Sequence, residues 1–213
     1  MYLIAVSDHV KLIGQFLCSR LINTSSSGKT RVLIDSLWEH WGFYFTCSNY
    51  SWIGSTDMTQ LMRLTTTRGF TETLPSSTTQ SSPELGRNRD LVSHVSLQIL
   101  VARLFVFRLF LEEAHVLGPN HSLDFYRDCW VYFQLLPGMI GHGDIFSEIT
   151  GLLNKVNDNY LVNVCGSLSV DIRSEYLPSM KLYIVVDKAQ EAARKYPNTF
   201  RSYTNENQCR PLL

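Results

Sequence analysis

From Thr30 onward the apolar positions fall in helical register. Leu33, Leu37 and Trp41 recur at every fourth position, with Ile34 and Trp38 beside them. Gly42 follows at once, where a helix C-terminus favours glycine. The next stretch, "GFYFTC" at 42–47, is short and aromatic, the pattern of a buried strand. Upstream, "FLCSRLIN" at 16–23 is a mixed apolar run that ends at a Ser-rich turn. Residues 16–47 therefore predict strand, loop, helix, strand, a βαβ unit whose loop opens the helix.

Beyond this unit the pattern predicts mostly helices. A short one starts near Ser55-Thr56-Asp57. Residues 65–82 contain eleven Ser or Thr among eighteen, so 65–87 is read as a polar loop. A long helix runs from about Asn88 to Leu117, stopped by Gly118-Pro119. It is apolar nearly all round, which predicts a central position with Leu100, Leu104 and Phe107 inside. Helical patterns follow at 122–135 and 144–156, and 160–178 is ambiguous. "KLYIVVDKAQEAARKYP" at 181–197 reads as a strand running into a helix. No internal repeat is visible.

Composition narrows the class. The 213 residues suit a single domain, 1–213, and 45% hydrophobic content provides for a sizeable core. With 19 basic and 19 acidic residues and no Lys/Arg cluster, a nucleic-acid footprint is not indicated. Five scattered cysteines without a C-x-x-C predict free thiols in a reducing compartment. The N-terminus lacks a basic region and a long apolar run, so it does not read as a signal peptide. The most apolar segment carries Arg103 and Arg108, which favours a buried helix over a membrane span. The expectation is an intracellular protein, cytoplasmic or nuclear, with no membrane partner.

The chemistry sits in "NTSSSGKTR" at 23–31. It matches G-x-x-x-x-G-K-[ST] except that Asn23 stands at the first glycine. In such a loop successive backbone N–H groups point into one concavity, and the following helix N-terminus adds partial positive charge. Ser25, Ser26, Ser27, Gly28, Lys29, Thr30 and Arg31 are the candidate nucleotide-binding residues. Lys29 would reach the β- and γ-phosphates of ATP or GTP, and the Thr30 hydroxyl would hold Mg²⁺. Asn tolerates left-handed backbone, so Asn23 is a mild departure. Such a site needs a second signal, an apolar strand ending in an acid that supports the Mg²⁺ shell. "LYIVVD" at 182–187 supplies it, with Asp187 the second candidate metal residue.

On "SSSGKTRVLIDSLWEHWGFYFT" and "LYIVVDKAQEAA" the chain resembles the P-loop NTPase domain of Crinkler-type proteins and their relatives in fungi and oomycetes. The resemblance covers roughly 16–65 and 180–195, with 91–117 matching more loosely. It implies a three-layer α/β fold with a parallel sheet and a large helical insertion before the Asp187 strand. It also implies an ATP- or GTP-binding module with Lys29, Thr30 and Asp187 in the roles above.

Two departures bear on activity. Lys188 stands where the resemblance implies Glu, the carboxylate that activates water, and a lysine is a poor base at neutral pH. Glu191, one helical turn on, is the remaining catalytic candidate. The expected function is nucleotide binding with weak NTPase activity. The alternative is a degenerate, non-hydrolysing nucleotide-binding or protein-interaction module. Strand order in the family also implies two strands after Asp187, where 26 residues show no clear one. An incomplete sheet is expected, completed by a protein partner or a missing C-terminal segment. Glu112 and His115 form half of a carboxylate-bridged metal motif without its other half, and read as a solvent-facing helix end.

Overall fold

A computed structural model describes residues 28–48, 52–63, 69–71, 83–118, 121–139, 143–178, 181–189, 191–192, 200–201 and 209–210. The strand expected at 16–23, Ser25, Ser26, Ser27 and most of the polar stretch at 65–82 lie outside them.

Helix α1 (Lys29–Glu39) leads into strand β1 (Gly42–Thr46). A short helix α2 (Thr59–Met62) precedes the long α3 (Pro83–Leu117). Then come α4 (Leu123–Leu135), α5 (Ile145–Leu152), α6 (Asp158–Asp171) and strand β2 (Tyr183–Asp187). Two further strands, β3 (Phe200–Arg201) and β4 (Cys209–Arg210), pair antiparallel. The chain is mixed α/β and mostly helical, with a short sheet of two parallel strands.

β1 and β2 pair from Gly42 opposite Tyr183 to Thr46 opposite Asp187. Parallel strands need a long crossover, and here α2 to α6 supply it. The sequence pattern places helices in this interval. The pleat sorts the side chains. Phe43, Phe45 and Cys47 enter the larger core with Leu100, Leu104 and Phe107 of α3. Tyr44 and Val185 turn to the opposite face, against Leu37 of α1 and Val131 and Leu135 of α4. Helices thus cover both faces of the sheet.

The sequence boundaries need several corrections. α3 starts at Pro83, so 83–87 are helical and not loop; proline suits a first helical turn, where its missing N–H is no loss. Asn88, inside that helix, is tied to the backbone of Thr71 by two hydrogen bonds of 2.9 and 2.8 Å. The ambiguous 160–178 resolves as α6 followed by a π-helical turn, Ile172–Tyr176. Trp41 does not continue the α1 stripe. The backbone is already extended at His40, and Trp41 packs on Phe107 in the opposite core. Gly42 belongs to β1 and ends no helix. A Cβ there would lie 2.3 Å from the Tyr183 carbonyl oxygen and 2.9 Å from Leu37 Cδ2, so α1 and β2 approach through its missing side chain.

α3 is long and apolar enough to cross a membrane, yet 67% of its most apolar window is buried inside the fold. Leu104 and Phe107 are fully buried and Leu100 nearly so, as its pattern predicted. Arg103, the charge within that run, is fully buried against Asp57, which accepts its Nε–H at 2.6 Å. Its guanidinium lies over the Phe146 and Phe45 rings, at 4.0 and 4.9 Å. Arg108 pairs with Glu112 and Asp171, and His115 packs on Tyr176.

The outer edge of β1 is closed by side chains of α4. Gln134 Oε1 accepts the Tyr44 amide at 2.9 Å, and Gln134 Nε2 and Trp130 Nε1 donate to the Gly42 carbonyl at 3.1 and 2.8 Å. Among the described residues no strand pairs with the other edge of β2.

Candidate phosphate-binding site

α1 begins at Gly28, whose φ of 73° is left-handed, a conformation glycine adopts without steric cost. α4, α5 and α6 each have a side chain accepting from their first turn, from Ser122, Asp144 and Asn157. α1 has neither a side-chain cap nor an acidic residue in its first turn. A helix start carries N–H groups and partial positive charge that favour anions. Lys29 is half-buried on this turn.

The helix start is held over the C-terminal end of β2. Thr30 Oγ1 donates to the Asp187 carboxylate, 3.1 Å from Oδ1 and 3.0 Å from Oδ2, across 157 positions of sequence. Asp187 is buried and ends the strand that pairs with β1. Two more donors fix it. Tyr44 Oη donates to Oδ2 at 3.0 Å, and the Lys188 amide donates to Oδ1 at 2.9 Å. Burial and the Asp187 charge raise the Tyr44 pKa, so the phenol stays a donor.

The oxygen donors fit magnesium. Mg²⁺ takes hard oxygen ligands at about 2.1 Å in an octahedron, so neighbouring ligands lie about 3.0 Å apart. The Thr30–Asp187 separation has that size. Among the described residues no group of three His, Cys, Asp or Glu could hold a metal. One hydroxyl and one carboxylate leave the rest of the shell to water and phosphate, which is how Mg²⁺ is usually held.

The remaining candidates divide. Arg31 is exposed and pairs with Asp35 at 3.7 Å, a weak surface contact. Lys188 is exposed with a left-handed φ of 57°, so the strand pleat no longer governs its side chain. Glu191 donates its amide to the Lys188 carbonyl at 2.8 Å, and its charge adds to the rise in the Cys47 pKa. It stands on the turn after the strand, in electrostatic reach of Cys47. Ser25, Ser26 and Ser27 lie outside the described residues.

Sequence reasoning missed Tyr44. It sits inside "GFYFT" and reads as one more aromatic core residue, and its partner is 143 positions away. Its place two residues before Thr46, the register partner of Asp187, was the only available hint.

Comparison with protein-family models, with curated proteins and with solved structures finds no match to this chain.

Proposed function

We propose that this chain is a P-loop nucleotide-binding domain that takes ATP or GTP with Mg²⁺. The single observation behind this reading is the contact of Thr30 Oγ1 with both Asp187 oxygens at 3.0–3.1 Å. A Gly-Lys-Thr helix start and a strand-terminal aspartate are the two halves of a magnesium-nucleotide site, and 157 positions separate them in the chain. In this reading Lys29 and the N–H groups at the start of α1 hold the phosphates. Thr30 and Asp187 hold Mg²⁺, and Tyr44 fixes the carboxylate. When bound, the ion would neutralise phosphate charge. A complete P-loop sheet asks for a further strand on the β2 edge, since α4 closes the other.

Hydrolysis is the weaker half of the reading. Lys188 is a cation on a left-handed residue, exposed to solvent, where a water-activating carboxylate would be expected. That observation favours the non-hydrolysing alternative, with Glu191 the remaining candidate base. Phosphate release from Mg-ATP and Mg-GTP by wild type, Glu191→Gln and Lys188→Glu decides between them. Binding without release in wild type, gained in Lys188→Glu, marks a module that has lost its chemistry. Release abolished by Glu191→Gln marks an active NTPase.

A further inference from the structure

Trp52 is 96% exposed, the most exposed of the large apolar side chains among the described residues. Leaving so large an apolar surface in water forfeits stabilisation that burial would give. Its loop is nevertheless firmly seated. Gly54, two residues on, donates its amide to the Leu135 carbonyl at 2.7 Å. A Cβ on Gly54 would lie 2.9 Å from both Tyr44 Cε1 and Thr46 Cγ2, so its backbone presses on those two side chains. Its φ of 93° also requires glycine.

The seat is the floor of the phosphate site. Tyr44 Oη reaches Asp187, and Asp187 reaches Thr30. Thr46 is the register partner of Asp187. Gly54 and Thr30 therefore flank one patch of sheet, made by Tyr44, Thr46 and Asp187. Both lie at the carboxyl ends of parallel strands, where open α/β sheets bind ligands. A continuous run of contacts joins the flanks, from Gly54 to Tyr44, from Tyr44 to Asp187 and from Asp187 to Thr30.

We propose that Trp52 is the stacking platform for the nucleobase, with the phosphates at the start of α1. This rests on the nucleotide reading above and adds to it the group that holds the base. An indole stacks on any base without reading its hydrogen-bonding edge, so purine selectivity from Trp52 is weak and ATP and GTP bind alike.

The test compares Mg-ATP with magnesium tripolyphosphate, which carries the phosphates without a base. Calorimetric titrations of both ligands use wild type, Trp52→Ala, Trp52→Phe and Lys29→Ala. Trp52→Ala is expected to weaken Mg-ATP binding by about tenfold or more and to leave tripolyphosphate unchanged. Trp52→Phe is expected to recover most of the loss, and Lys29→Ala to weaken both ligands. Wild type that binds both ligands, with Mg-ATP affinity unchanged in Trp52→Ala or with both ligands weakened equally, overturns the stacking role alone. Wild type that binds neither overturns the nucleotide reading, and this inference with it.

Discussion

Gln134 stands in for a neighbouring strand at Tyr44. Its Oε1 accepts the Tyr44 amide at 2.9 Å, and its Nε2 donates to the Gly42 carbonyl at 3.1 Å, within a fully buried side chain. One amide group thus satisfies a donor and an acceptor that a sheet edge would otherwise strand in the core. Trp130 Nε1 reinforces it on the same carbonyl.

Replacing Gln134 with Leu, of similar bulk, leaves the Tyr44 amide buried without its partner. A buried unsatisfied group costs about 1–3 kcal/mol. Urea unfolding should show a loss in that range. A Gln134→Leu protein as stable as wild type would mean that the edge is satisfied in another way.

Asp57 and Arg103 form a fully buried ion pair. Asp57 also accepts the Met58 amide, while Arg103 Nη1 and Nη2 have no hydrogen-bond partner among the described residues. The guanidinium is compensated by one carboxylate oxygen and two aromatic faces. Arg103→Met leaves a buried carboxylate unpaired and should cost about 3–5 kcal/mol. The double variant Arg103→Met with Asp57→Asn should lose less than the sum of the two single losses, because neither buried charge remains. Additive losses in a double-mutant cycle would deny the coupling.

Stability should fall above pH 9. Burial, with the charges of Glu191, Asp187 and Asp57, pushes the Cys47 thiol up to about 12 from its ordinary 9.0. Burial pushes Cys165 to about 11, against a hydrogen bond with Ser169 that lowers it. In both, the folded value exceeds the unfolded one. Above pH 9 the unfolded chain loses a proton that the folded chain keeps. The stabilisation is therefore complete below pH 9 and lost as pH rises through the folded values. Each thiol lowers stability by about 1.4 kcal/mol per pH unit in that window. Urea unfolding at pH 8, 9, 10 and 11 should show this decline, made shallower by Cys47→Ala. An unchanged slope in Cys47→Ala would mean that its thiol does not titrate differently on folding.

Much of the fold was legible because it is written in short-range periodicity. The α1 stripe, the aromatic run of β1 and the buried face of α3 need only their own residues to be read. The residues of the Thr30–Asp187 contact were legible for a similar reason, since Gly28-Lys29-Thr30 and Asp187 each carry a local pattern. Residues whose role depends on a distant partner were not. Gln134 serves Tyr44 across 90 positions, and Arg103 pairs with Asp57 across 46. Gly42 sits where a helix-ending glycine is expected, yet it is glycine because the Tyr183 carbonyl crosses it. Pattern alone cannot separate these cases, because the deciding atom comes from another part of the chain.

The Thr30–Asp187 pair can be tested by the dependence of nucleotide binding on magnesium. ATP is titrated calorimetrically into wild type and Asp187→Asn, with Mg²⁺ and with EDTA. Asparagine keeps the shape of the side chain and removes its charge. If Thr30 and Asp187 hold the ion, Mg²⁺ tightens ATP binding to wild type about tenfold or more, and Asp187→Asn loses that gain while binding metal-free ATP as before. ATP affinity that is the same with and without Mg²⁺, or a magnesium effect undiminished in Asp187→Asn, would contradict it.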